Sequence, residues 1–302
     1  MIRNELFTEK FRPQEFKQFI GIEQFKDIVE ICENNPFKLP NFLFVGKAGC
    51  GKTTLSRLII KALNADYMTL NASDESGIDI IRGKVKNFAK TLSFNLKSPK
   101  IIFLDEADYL GGGSSKTAMA SLRMIIEQYS SSVRFILSCN YEEKIIPELH
   151  SRLTKIYFGN YNKEEILTYL KEICNKESVT YEEKALQKLI DINFPDIRSM
   201  IKYLQLNKNI VLDNISSVKY SDQIFNLIQE RKLLQARQFW VENNFDCRQI
   251  LLEIFYKVIN NEFYNVQQKK EIIEIIADTD YRLAVSATPD IQLFNFLIKV
   301  RL

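Results

Sequence analysis

Gly46, Gly51, Lys52 and Thr53 stand in the spacing G-x-x-x-x-G-K-[ST] inside "NFLFVGKAGCGKTTLSRLII", residues 41 to 60. The apolar run before them reads as a strand and the run after them as a helix, the context in which this pattern binds phosphate. Glycine lets the backbone curl until its N–H groups, including those of Gly49, Cys50 and Thr54, face a phosphate. Lys52 then reaches the β and γ groups, and the Thr53 hydroxyl ligates Mg²⁺. The ligand this predicts is ATP with Mg²⁺.

Fifty-three residues past Lys52, "IIFLDEAD" puts Asp105 and Glu106 at the C-terminal end of a second apolar strand. Ligands of open α/β sheets bind at that edge. Asp105 is expected to join the Mg²⁺ shell and Glu106 to polarise the attacking water, which makes the site hydrolytic. A third strand, "VRFILSCN", ends at Asn140, placed to contact the γ-phosphate or order the water. Arg198 falls in the first turn of a later helix that starts at Pro195 and Asp196, and it can lean over the same nucleotide.

These residues need a sheet to carry them. Short β-rich runs ("NFLFV", "YMTLNA", "KIIFLDEA", "VRFILSCN", "KIYFG") alternate with helical patterns, which argues for a parallel sheet flanked by helices over residues 1–160. All ten glycines lie at or before Gly159 and the remaining 143 residues have none, which marks a change of architecture. Beyond it, apolar residues recur at helical spacing and the chain reads as helices throughout. A small helical domain is expected over 161–220. An all-helical one follows over 221–302, small enough that other subunits complete its apolar faces.

Composition removes several alternatives. No run of 18 apolar residues is present, and the start "MIRNELFTEKFRP" lacks a signal-peptide core, so the expectation is a cytoplasmic protein with no membrane partner. Five scattered cysteines without a CxxC, and a single histidine, argue against a disulfide framework and a zinc site. Net charge is only +3, but Arg82 to Lys100 holds six basic residues and no acidic one. The letters "DEAD" suggest a helicase of that name. Its companion "SAT", however, lies here some 180 residues downstream in the helical half, at Ser286 to Thr288.

Phosphate loop, acidic strand end, sensor asparagine and sensor arginine, in this order, resemble the AAA+ ATPases. More narrowly, "EKFRPQEFKQFIG", "NASDESGIDIIRGKVKNFA" (71 to 89), "SLRMIIEQYS", "SRL" (151 to 153) and "FPDIRSMI" make nearly the full length similar to clamp-loader subunits. Those are the subunits of replication factor C and, closer still, the large loader subunit of tailed phages. The resemblance implies an α/β AAA+ domain followed by a helical lid and a helical collar. It implies an adenine pocket from Thr8, Glu9, Lys10, Phe11 and Ile20, shaped by Arg12 and Pro13. It gives the basic run a role, with Arg82, Lys84 and Lys86 following the phosphates of primer-template DNA by shape and charge. Leu92 and Phe94 either dock onto a ring-shaped sliding clamp or pack in the core.

Within Ser151, Arg152 and Leu153 the resemblance implies that Arg152 acts in trans, reaching the nucleotide of a neighbouring copy. The implied assembly is a pentameric spiral of copies of this chain with a distinct smaller loader subunit. Departures from the family are Leu153 in place of cysteine, Phe11 in place of tyrosine, Cys50 in place of threonine, and the glycine run 111–113. Two other functions are open to the sequence. One is a different AAA+ DNA remodeller, an initiator or branch-migration ATPase, and the other is a catalytically inert scaffold subunit of a loader.

Overall fold

The computed structural model describes residues 6–74, 81–111, 116–212, 220–242, 247–261, 264–285 and 289–300. Two compact units divide the chain, Met1–Ile215 and Ser216–Leu302. The first unit is built on five parallel strands: β1 Phe42–Val45, β2 Tyr67–Asn71, β3 Lys100–Asp105, β4 Val133–Cys139 and β5 Thr154–Tyr157. Their order across the sheet is β2-β3-β4-β1-β5. Helices α1 Phe7–Lys10 and α2 Lys26–Asn34 precede β1, and α3 Lys52–Leu63 leaves the phosphate loop. A wide helical turn, Ile81–Val85, runs into the short helix α4 Lys86–Lys90, followed by α5 Lys116–Gln128 and α6 Pro147–His150.

Strand side chains alternate between faces, and here the two faces build two cores. Phe42, Phe44, Ile101, Phe103 and Ile136 point one way and meet Leu55, Leu58 and Ile59 of α3. Leu43, Ile102, Leu104, Phe135 and Leu137 point the other way, onto Ala118, Leu122 and Ile125 of α5 and onto Ile81, Val85 and Ala89. Each fully buried leucine, isoleucine or phenylalanine contributes about 1.5–3 kcal/mol. The sheet is therefore stiff where its strand ends carry chemistry. The first face holds Asp105 two residues past Phe103, and Asn140 four past Ile136 by the same alternation.

Beyond the sheet come α7 Lys163–Glu177, α8 Glu183–Asn193 and α9 Ile197–Leu206. The Asn162 side chain caps α7 by accepting from the Glu164 N–H at 2.8 Å, and Asp196 caps α9 by accepting from the Ser199 N–H at 3.0 Å. One feature differs from the sequence reading. The region is not helical throughout, because Thr180–Tyr181 (β6) and Asn209–Ile210 (β7) pair in parallel; two-residue strands are too short to show a period of two. The apolar residues of these helices are continuous with those of the sheet. Ile166, Leu170, Ile173, Leu186 and Met200 belong to the same apolar cluster as Phe42, Phe44 and Leu55.

The second unit contains α10 Tyr220–Gln229, α11 Leu233–Glu242, α12 Cys247–Asn260, α13 Val266–Val285 and α14 Pro289–Lys299. Ile224, Ile228, Ala236, Ile254, Val258, Phe296 and Leu297 form its core. Among the described residues no helix is long and apolar enough to cross a membrane.

Candidate ATPase site

The phosphate loop turns sharply between β1 and α3, with Gly49 at φ +74° and Gly51 at φ +100°, values at which a side chain is strained. Space is also short there. A Cβ on Gly51 would lie 2.9 Å from the Phe19 ring, and one on Gly49 would lie 1.7 Å from Asp196 Oδ1. The loop is therefore packed between the N-terminal segment and the start of α9. Tyr161 spans the same place, its buried hydroxyl donating to the Cys50 carbonyl. Burial pushes the Tyr161 hydroxyl well above its ordinary pKa and raises that of the Cys50 thiol.

A pocket of about 740 Å³ opens on this loop. Of the residues expected to hold nucleotide, Gly49, Cys50, Gly51, Lys52, Thr53 and Thr54 line it from one side. Thr8, Phe11, Arg12, Pro13 and Ile20 line it from the N-terminal segment, and Arg198 lines it from α9. Glu9 and Lys10 do not. Glu9 pairs with Arg12 (2.6 Å), itself part of the wall, and Lys10 pairs with Glu177 (2.6 Å), which is not. Gly46 is not in the wall; its N–H donates to the Cys139 carbonyl at 3.2 Å. Arg12 is crowded by burial and by Arg57, which lower its pKa, while Glu9 opposes the shift and Arg198 adds to it. The wall also contains Phe19, Ile197 and Ile201, which lie within the quoted segments 9–21 and 194–201, and Tyr161 and Tyr169, which lie in none.

Strand order brings the chemistry together, because β4 lies between β1 and β3. Lys52 Nζ donates to Asn140 Oδ1 at 2.9 Å, as well as to the Gly46 and Lys47 carbonyls at 2.6 and 2.9 Å. Thr53 Oγ1 donates to Asp105 Oδ2 at 2.8 Å. Ser138 of β4 donates to Asp105 Oδ1 and accepts from the Glu106 N–H at 3.1 Å. Glu106 itself sits at φ +55°, a conformation uncommon for a non-glycine residue.

Arg152 is not in this pocket. It follows α6 and is held by Glu127 of α5, with Nη1 also donating to the Glu148 carbonyl at 2.7 Å. Arg82 and Lys84 are exposed and Lys86 is half-buried on the helical stretch 81–90, with Arg82 Nε reaching Ser121 Oγ at 3.3 Å. Leu92 and Phe94 are 92% and 99% exposed, so they do not pack in the core of this chain. Their backbone is nevertheless pinned. Asp66 accepts from Ser93 Oγ at 2.8 Å and from the Phe94 N–H at 2.6 Å, and these bonds, the serine's first, lower its pKa. Gly112 and Gly113 lie outside the described residues.

Residues 42–161 match the ATPase family associated with various cellular activities, and residues 219–299 match the replication factor C C-terminal domain. The replication factor C small subunit of Methanococcus vannielii is 33% identical, over 97% of this chain and 98% of its own. That of Archaeoglobus fulgidus is 34% identical, over 97% and 96%. The chain belongs to the replication factor C small-subunit family. It is an AAA+ ATPase subunit of a multi-subunit sliding-clamp loader acting in DNA replication. Among solved structures the fold resembles the Thermotoga maritima RuvB Holliday junction branch migration motor, with TM-score 0.55 and 16% identity over 80% of this chain and 86% of that one. It also resembles the FIGL-1 AAA domain in complex with ADP, with TM-score 0.51 and 17% identity over 64% and 72%.

For a family member the donor set is informative. A hydroxyl and a carboxylate, already 2.8 Å apart, are the hard oxygen ligands that suit Mg²⁺ while leaving positions for water and phosphate oxygens. The bound ion would neutralise phosphate charge. Lys52 and Arg198 line the same pocket, Asn140 accepts from Lys52, and Glu106 follows Asp105 at the strand end.

Proposed function

We propose that this chain binds ATP·Mg²⁺ through Lys52, Thr53 and Asp105, senses the γ-phosphate through Asn140 and Arg198, and hydrolyses ATP with Glu106 as the group that polarises water. The observation that carries this reading is the hydrogen-bonded set Lys52–Asn140 and Thr53–Asp105 at the ends of β1, β4 and β3. Arg152, directed away from its own pocket, supplies charge to the nucleotide of a neighbouring copy. ATP binding closes copies of the chain, with a distinct smaller subunit, into a pentameric spiral. That spiral holds the clamp open and grips primer-template DNA through Arg82, Lys84 and Lys86. The pinned apolar ledge at Leu92 and Phe94 meets the clamp. Hydrolysis releases the closed ring on DNA, so ATP serves as a conformational switch. The tailed-phage likeness of the motifs fits the same role.

The test is ATP turnover of the assembled loader with and without primed DNA and clamp. Turnover that rises when both are present is the expected result, and turnover indifferent to both overturns the reading. The likeness in fold to a branch-migration motor gives a second reading, a hexameric remodeller, which a native mass of six copies instead of a mixed pentamer would favour.

A further inference from the structure

Ser138 is a hydroxyl set into an otherwise apolar stretch of β4, "FILSC", and it is fully buried. Interior hydroxyls persist where they are hydrogen-bonded, and both partners of this one belong to the end of β3. The pairing of Leu104 with Leu137 puts Asp105 beside Ser138, on the sheet face that also carries Phe103 and Ile136. Proton direction is fixed by chemistry. The Glu106 amide can only donate, so the single Ser138 proton goes to Asp105 Oδ1, and the carboxylate accepts it. Asp105 is thereby tethered by one oxygen while the other faces Thr53. The same serine oxygen holds the peptide N–H of Glu106, whose left-handed φ of +55° sets the direction in which its side chain leaves the strand.

We infer that Ser138 is a positioning residue of the ATPase site. It holds Asp105 Oδ1 so that Oδ2 is presented with Thr53 as a metal-ligand pair, and it fixes the Asp105–Glu106 peptide so that the Glu106 carboxylate is aimed at water. This rests on the roles proposed above for Thr53, Asp105 and Glu106. Groups that orient metal ligands and catalytic carboxylates act through them, and their loss reduces metal affinity or activity about 10–100-fold.

Ser138→Ala removes one oxygen and adds no bulk. Two measurements apply: binding of a fluorescent ATP analogue to the full chain, titrated with Mg²⁺ and repeated in EDTA, and turnover of the assembled loader. The expected result is a Mg²⁺ midpoint raised about tenfold or more and kcat lowered about 10–100-fold, with unchanged affinity in EDTA and an unchanged melting temperature. Ser138→Thr, which keeps the hydroxyl, should recover most of both losses. A Ser138→Ala chain with the parent Mg²⁺ midpoint and kcat overturns the inference, as does equal loss of affinity in Mg²⁺ and in EDTA, or a threonine variant no better than alanine. Glu106→Gln is the parallel arm. If it still turns over ATP, the site reading itself is wrong, whereas an inactive Glu106→Gln beside a fully active Ser138→Ala removes only the role of Ser138.

Discussion

Arg152→Ala separates a structural arginine from one that serves a neighbour. In the subunit Arg152 is bound to Glu127, with the two side chains 32% and 45% exposed. Ion pairs open to solvent to this degree are worth about 0–1 kcal/mol. Removing Arg152 should therefore lower the melting temperature by no more than about 4 °C, and its absence from the pocket of its own chain leaves the isolated chain's ATP affinity unchanged. An arginine that reaches transition-state charge from a second subunit is worth about 10³–10⁵ in rate, or roughly 4–7 kcal/mol. The two roles thus differ several-fold in free energy and act on different observables. Turnover of the assembled loader with clamp and primed DNA should fall by at least about a thousandfold, while nucleotide Kd, measured by fluorescence on the isolated chain, stays within twofold. Releasing Arg152 from Glu127 costs at most about 1 kcal/mol, so Glu127→Gln should change turnover by less than about fivefold. The trans role is refuted if Kd weakens in step with kcat, or if Arg152→Ala melts so much earlier that the loss of rate follows the loss of folded protein.

Gly49→Ala should abolish nucleotide binding or dislodge the start of α9, since its Cβ would sit 1.7 Å from Asp196 Oδ1 at a φ of +74°; unchanged affinity by calorimetry counts against the packed loop described above. Neutralising Arg82, Lys84 and Lys86 together should weaken binding to primed DNA and reduce the slope of log K against log salt by about 2–3, and an unaltered slope moves the DNA face elsewhere. The Cys32 and Cys139 thiols are pushed up to about 12 by burial, and Cys174 to about 11, from an ordinary 9.0. At pH 8 none of the three should be alkylated without denaturant, as peptide mass mapping can show. Because the unfolded chain releases those protons first, stability should decline as pH rises from about 9 toward 12; a melting temperature that holds or rises across that window contradicts the assignment.

The sequence showed most clearly what is local. A glycine-rich turn before a helix, an acidic pair ending a strand, and a capped helix start bearing Arg198 are short-range signals; the first and last line the pocket, and Asp105 of the pair accepts from Thr53 in its wall. Phe19, Tyr161 and Tyr169 escaped notice because aromatic residues in such settings look like ordinary core, and only the fold brings Tyr161 to Cys50, 111 residues away. Ser138 did leave a trace, a lone hydroxyl in a run otherwise fit for burial, but its meaning depended on which strand lay beside β4. Glu9 and Lys10 show the limit of a motif, which assigns a whole segment: Thr8 and Phe11 to Pro13 line the pocket, while these two side chains pair with Arg12 and Glu177.

The loss of glycine near residue 160 marks a change in local geometry, whereas a compact unit is defined by its contacts, and the first of these runs on to Ile215. Since α7 to α9 bury Ile166, Leu170 and Ile173 in the cluster that also contains Phe42 and Phe44, they are covalently downstream but energetically part of the sheet. Exchange of parts between relatives should respect that arrangement. A graft joined near 160 would pair one protein's sheet face with another's unmatched apolar surface, while a junction near 215 keeps each core with a single parent. The portable cassette of this protein is the sheet and lid together.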